Sequence, residues 1–375
     1  MLKSYDVIVV GCGAMGTSAA YNLSKRGYKV LALERFGLNH GLGSSHGKTR
    51  IIRLAYAEDP RYVPLLRRAF QAWKETEQRT GQPLLMMTGG LMVGAPGGEL
   101  VAGVLKSARE HQLSHRVLEG RQVGAEFPAF NVDEGLVAVH EDSAGVLFPE
   151  KCLSAFHRLA IEERCEFRFV DPVKSWTSLK EGIEVATSTE KYRADKAVLC
   201  AGPWMGALTK GAVPLKIERQ VPFWFDSKGE GRFSPDRMPI FVVEEGPEWM
   251  FYGFPDLGDG VKVGRHHGGE TVDPDSVNRD VGDSDVSPVR EFVKHRLPGL
   301  SADPVDASPC LYSNTPDSNF VIDFHPAEPR VLLVSACSGH GFKFAPVMGE
   351  VAADLIGARK PGFDISFLEL SRFIR

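Results

Sequence analysis

DVIVVGCGAMGTSAAYNLSKRGYKVLALE, residues Asp6 to Glu34, decides the fold. Asp6 to Val10 is a short run of strand-forming side chains that ends at once in glycines, and SAAYNLSKRG after them has helical composition. Tyr28 to Leu33 reads as a second strand and closes on Glu34, so the stretch is one βαβ unit of ordinary size. Gly11, Gly13 and Gly16 fall as GxGxxG between the first strand and the helix. The first glycine permits the tight turn, the second lets the backbone approach a pyrophosphate, and the third lets helix and sheet pack closely. The helix N-terminus then offers unpaired amides and the positive end of its dipole to phosphates. Glu34 stands where a carboxylate accepts hydrogen bonds from an adenosine ribose, and it would repel the 2'-phosphate of NADP. The turn alone does not separate FAD from NAD.

Working outward, His40 to Arg50 (HGLGSSHGKTR) is rich in glycine and hydroxyls and reads as loop, whereas YVPLLRRAFQAWKETEQR from Tyr62 has the recurring apolar positions of a helix. Further helices are expected near VAGVLKSAREH and PEKCLSAFHRLAIEER, and short alternating strands fill 166–198. From Gln220 to about Gly268 aromatic and β-branched residues are broken by turns, which argues for antiparallel strands, and Ser276 to Leu297 holds a helix. RVLLVSACSGHGFKFAPVMGEVAADLIG repeats the opening order of strand, glycine turn and helix. The expected fold is therefore α/β: a Rossmann-like nucleotide-binding domain assembled discontinuously from 1–84, 142–218 and 320–375, and a substrate domain, 85–141 and 219–319, built on a large antiparallel sheet.

Composition limits the partners. The 375 residues are 43% hydrophobic with a formal charge of -4, enough for sizeable cores and no general attraction for nucleic acid. The six cysteines are scattered without a CxxC pair, which suggests neither a zinc site nor a disulfide framework, so no metal is expected. The opening apolar run is too short for a signal peptide and no stretch approaches the roughly 20 apolar residues of a membrane span, so a cytoplasmic protein without membrane partners is expected.

DVIVVGCGAMG, GSSHGKTRIIR, YVPL, SAGVLFPE, CAGPW, YGFP, KVGRHH, CLYSNTPD and SGHGFKFAP together resemble the FAD-dependent oxidases related to D-amino-acid oxidase, closest to the monomeric sarcosine oxidase and N-methyl amino acid oxidase group, over essentially the whole chain. The resemblance implies FAD, attached covalently through Cys310, with cofactor contacts from Gly11, Gly13, Ala14, Met15, Gly16, Glu34, Arg35, Ser45, His46, Thr49, Arg50, Gly339, Gly341 and Lys343. It implies Arg53 and Lys343 as the pair that holds a substrate carboxylate, which suits an arginine fork and a lysine point charge. It implies Arg50 near one flavin face, Lys262 as the activator of dioxygen on the other, and His266, Tyr252 and Tyr312 around the substrate.

Two positions depart from the sarcosine oxidase pattern. Arg265 replaces a tyrosine beside the matching histidine, and Val242 stands in place of a methionine, which would widen the cavity. The activity implied is oxidation of a secondary, N-methyl amino acid such as sarcosine by hydride transfer to flavin, with dioxygen reduced to hydrogen peroxide and the imine hydrolysed to formaldehyde and glycine, in a monomer. The alternatives are an oxidase or dehydrogenase of pipecolate, N-methyltryptophan, L-proline or a fructosyl amino acid, a non-catalytic FAD-binding subunit, and, on the glycine turn alone, an NAD-dependent dehydrogenase.

Overall fold

The computed structural model describes residues 3–373. Five parallel strands make its first layer, in the order Glu328–Ser335, Lys191–Leu199, Ser4–Val10, Val30–Leu33 and Glu166–Arg168. Residues 7–10, 30–33, 197–199 and 331–335 are buried on both faces, which is why these stretches run almost wholly apolar without alternation. Two antiparallel additions extend the layer to eight strands: the hairpin Val173–Ser178 with Ile183–Thr187, and Val321–His325 folded back on Glu328–Ser335. The helix Ala14–Lys25 packs between Pro149–Glu162 and Ala345–Ile356. A Cβ at Gly349 would lie 2.2 Å from Ser18 Oγ, so small side chains set how near the first and last helices come.

The second layer is an eight-stranded sheet in the order Pro304–Ala307, Phe223–Phe225, Val261–His266, Trp249–Phe254, Ile240–Gly246, Gly90–Gly94, Val137–Glu141, Arg116–Glu119. It is mixed rather than wholly antiparallel, because Ile240–Gly246 runs parallel to Gly90–Gly94. Its far face carries its own apolar core, in which Phe223, Phe241 and Phe251 pack beneath the helix Asp283–Arg296.

Two small sheets stitch the layers together. Arg50–Ile52 and Leu85–Met87 flank Gly145–Leu147, and Lys216–Gln220 pairs with Cys310–Asn314. The strand Lys216–Gln220 runs through the division expected at 218/219. Among the described residues no helix is long and apolar enough to cross a membrane.

Candidate active site

A cavity of about 470 Å³ runs between the layers, from Gly11 and Glu34 at one end to Arg53 and Lys343 at the other. The outer end is the glycine turn. Gly11 has φ +91°, and a Cβ there would sit 2.5 Å from the Cys200 carbonyl oxygen. A Cβ on Gly16 would fall 1.7 Å from the Gly11 carbonyl oxygen, so the turn excludes any side chain at that position. The helix that follows has no cap from its own N-cap residue and no acid in its first turn, leaving the Met15 and Gly16 amides to a ligand. Ala14 N donates to Ser45 Oγ at 3.1 Å, which ties the loop to the turn, and Met15 lines the cavity beside them. Glu34 accepts from Cys12 N at 2.7 Å and Phe36 N at 2.9 Å, so its carboxylate is fixed at the rim. Arg35 pairs with Asp275 at 2.6 Å, and Trp204 Nε1 donates to the same oxygen at 2.8 Å.

In the middle, Arg50 donates to Thr49 O at 2.8 Å and Ser44 O at 2.9 Å. His46 is buried, and burial with Arg50, Lys262 and Arg279 pushes its pKa down to about 3, so the ring is neutral. Its Nε2 is buried without a protein partner, an unmet hydrogen-bonding group at the cavity wall. Cys310 faces the same stretch from the strand Cys310–Asn314; burial pushes its thiol up while Arg50 and Lys262 pull it down. Glycine cradle, free helix amides and the unpartnered His46 nitrogen are the donor set an FAD requires along its length, and the residues present fit that group.

At the inner end Arg53 donates to Glu58 Oε2 at 2.9 Å and to Ala55 O at 2.5 Å. Burial would raise the Glu58 carboxyl, yet Arg53, His340 and Lys343 outweigh it and hold it at about 2. Lys343 Nζ donates to His340 O at 2.6 Å, and burial lowers the amine to about 7 against the pull of Glu58. Both cations lie over the Tyr56 ring, at 4.9 Å and 5.1 Å from its centroid, and the Tyr56 hydroxyl meets His340 Nδ1 at 2.5 Å.

The strand Val261–His266 sends alternate side chains to opposite faces, so Lys262 and His266 share a face while Val261 and Val263 enter the far core. His266 Nδ1 stands 3.3 Å from the Tyr312 hydroxyl, and its ring is perpendicular to Tyr252. Burial, then His267, lowers its pKa well below the ordinary range, so it too is neutral. Gly339, at φ +76°, lets this cluster close: a Cβ there would be 2.5 Å from the Tyr312 ring and 2.8 Å from His266. A Cβ at Gly341 would lie 1.9 Å from the Ala336 carbonyl oxygen.

Sequence and structure part in places. Lys262 is not in the cavity lining but just behind it, donating to Gly47 O at 2.5 Å and to Thr49 O and Oγ1 at 3.2 and 3.1 Å. Arg265 points away from the cavity and stacks on Trp249 at 4.0 Å, so its departure from the pattern does not touch the substrate space. Val242 lines the cavity, and so does Met250 from the neighbouring strand. Glu58, Tyr56, His340 and Cys337 line or adjoin the cavity and were not foreseen. Glu58 sits in the irregular AEDP stretch, where no periodicity marks a functional acid.

A glycine-cradled nucleotide cleft on a parallel sheet, continued into a cation-lined pocket under a second sheet, defines an FAD-dependent oxidoreductase of the amino-acid and amine oxidase class. The chain belongs to the family described as DAO, FAD dependent oxidoreductase, which matches residues 6–355. It is 42% identical over 362 residues to a monomeric sarcosine oxidase of Streptomyces avermitilis, covering 95% of this chain and 94% of that one. It is 35% identical over 372 residues to an N-methyl-L-tryptophan oxidase of Salmonella heidelberg, covering 98% and 99%. Among solved structures, NikD, an unusual amino acid oxidase essential for nikkomycin biosynthesis, shares the fold at a TM-score of 0.86 with 23% identity, over 98% of this chain and 97% of that one.

Proposed function

We propose that this enzyme oxidises a secondary amino acid, sarcosine in the first instance, at the N-methyl carbon, with dioxygen as the electron acceptor. The observation that carries the reading is the pair of buried cations, Arg53 and Lys343, at the inner end of the cavity that begins at the glycine turn. Two buried positive charges this close demand an anion. Glu58 supplies one for Arg53, and a substrate carboxylate would supply the second.

A bound FAD supplies a two-electron acceptor for the C–H bond next to nitrogen and a route for that electron pair to dioxygen. The chain supplies position. Arg53 and Lys343 would fix the carboxylate, and binding energy spent there orients the methyl carbon that reacts. His266, neutral and beside the Tyr312 hydroxyl, would turn its ring N–H to the lone pair of the substrate nitrogen and so favour the unprotonated amine that can lose hydride. Loss of hydride from the methyl carbon leaves an imine, which water converts to formaldehyde and glycine. The balance is sarcosine, dioxygen and water to glycine, formaldehyde and hydrogen peroxide. Lys262 would contribute positive charge where dioxygen acquires its first electron. Cys310, on the cavity wall within the field of Arg50 and Lys262, would carry the flavin covalently.

A bulkier N-methyl amino acid is the second reading, favoured by Val242 in the lining and by the Salmonella relative. Oxygen uptake and peroxide yield with sarcosine, N-methyl-L-tryptophan, pipecolate and L-proline separate these. Turnover of sarcosine with stoichiometric peroxide and formaldehyde supports the first; turnover confined to another substrate replaces it; flavin reduction without oxygen uptake makes the protein a dehydrogenase.

A further inference from the structure

Lys262 has two aromatic neighbours that the reading above leaves unused. Three strands of the second layer lie side by side, and their register aligns Trp224, Lys262 and Phe254 in one cross-strand row. The Lys262 Nζ is 5.0 Å from the centroid of the Trp224 ring and 5.1 Å from that of Phe254. Trp224 is 2% exposed and Lys262 1% exposed, so neither attraction is diluted by water.

The surroundings of this amine pull in two directions. Burial, then the Arg50 guanidinium and more weakly Lys48, disfavour its proton, while Glu150 favours it, as does the Cys310 thiol until the flavin bonds to its sulfur. The three acceptors Gly47 O, Thr49 O and Thr49 Oγ1 match the three N–H bonds of an ammonium and leave a neutral amine's lone pair facing acceptors only. Lys48, on the Gly47–Thr49 segment, sits 4.9 Å from the Trp224 centroid and is itself paired with Asp306 at 3.3 Å and Asp259 at 3.4 Å. Asp306 stands next in the same row, opposite Trp224. The row thus runs from a surface ion pair, through an indole, to the buried amine and on to Phe254, which lines the cavity.

We propose that Trp224 and Phe254 are positioning residues that hold Lys262 as a buried ammonium ion against the Gly47–Thr49 segment, and that they thereby set the rate at which the reduced enzyme reacts with dioxygen. The inference rests on the reading of Lys262 as the oxygen-activating charge. It extends that role to two aromatic side chains that act through the amine. Removing one ring from a desolvated cation–π pair lowers the titration midpoint of the amine by about one pH unit, so at any pH above that midpoint about tenfold less ammonium remains.

The test compares holoenzyme carrying Trp224→Leu, Trp224→Phe, Phe254→Leu or Lys262→Met. The titration of Lys262 is followed by NMR of isotope-labelled lysine side chains, its signal assigned by its loss in Lys262→Met. Stopped-flow then measures reoxidation of the reduced enzyme by oxygen and, separately, its anaerobic reduction by substrate. The expected result is a lower Lys262 midpoint in Trp224→Leu and Phe254→Leu, with reoxidation slowed about tenfold above the parent enzyme's midpoint and recovering as the pH is lowered. In Trp224→Leu, whose ring lies outside the cavity lining, reduction by substrate stays within a few-fold, and Trp224→Phe, which keeps a ring, restores most of the loss. A ring that served only to fill space would leave the midpoint and the pH profile where they are. That result, alongside slow reoxidation in Lys262→Met, overturns the proposal and leaves the oxygen role of Lys262 standing. Unchanged reoxidation in Lys262→Met removes the oxygen role itself, and the proposal falls with it even if the midpoint moves. Should Trp224→Leu fail to fold, Phe254→Leu and Trp224→Phe carry the same comparison.

Discussion

Arg53 is almost wholly buried and already faces a carboxylate, Glu58, so substrate must enter a charged pair rather than meet a free cation. Replacing Arg53 with Met leaves Glu58 unpaired and removes the fork; kcat/KM for an amino acid should fall roughly hundredfold, since a hydrogen bond to a charged group is worth about 1.5–3 kcal/mol and orientation is lost as well. Lys343 makes the clamp sensitive to pH. Its amine is held at about 7, so affinity for an inert carboxylate such as acetate should be present below that pH and decline above it as the charge is lost. Titrating the flavin spectrum with acetate measures this, and Lys343→Met should flatten the profile. Cys310→Ser should release with acid-precipitated protein a flavin that the parent enzyme retains. Arg53, Lys343 and Cys310 could be put forward from the sequence because they stand in the short motifs that carry the family resemblance, KTRIIR, GFKFAP and CLYSNTPD. Glu58 and Tyr56 were not: one lies in a loop without pattern, and the other reads as an ordinary core aromatic until two cations are found over its ring.

Among elements, the opening strand, turn and helix carried most of the legible fold, because their chemistry is local. The Gly16 position has room for hydrogen only, so Gly16→Ala should yield protein with little or no bound flavin; absorbance per chain after purification measures it, and full occupancy would contradict the role given to the turn. The alternation that sends Lys262 and His266 to one face of their strand was also implicit in KVGRH. Long-range pairing was not. Gly90–Gly94 lies beside Ile240–Gly246 across a long separation in the chain, and nothing within either segment states that they are parallel neighbours. The two small sheets are not visible in the sequence for a different reason: strands of three to five residues have too few positions to show a period.

For the whole molecule, burying neutral histidines has a cost in acid. His46 and His340 are pushed down mainly by burial, to about 3 and about 4, from an ordinary value of 6.5. Below 6.5 the unfolded chain therefore binds protons that the folded chain refuses, and stability should fall as the pH drops from 6.5 towards 4. Glu58, depressed to about 2, adds a further loss as the pH falls from 4.5 towards that value. Thermal unfolding of the holoenzyme across this range measures the slope, and a flat Tm would contradict neutral buried rings. The central claim is that the two cations under the second sheet present an amino acid's N-methyl carbon to the flavin. Anaerobic mixing of the holoenzyme with sarcosine, and in parallel with dimethylamine, which lacks the carboxylate, tests it most directly. Rapid bleaching of the flavin by sarcosine but not by dimethylamine is the result predicted; equal reduction by both, or no reduction by sarcosine or any larger N-methyl amino acid, would contradict it.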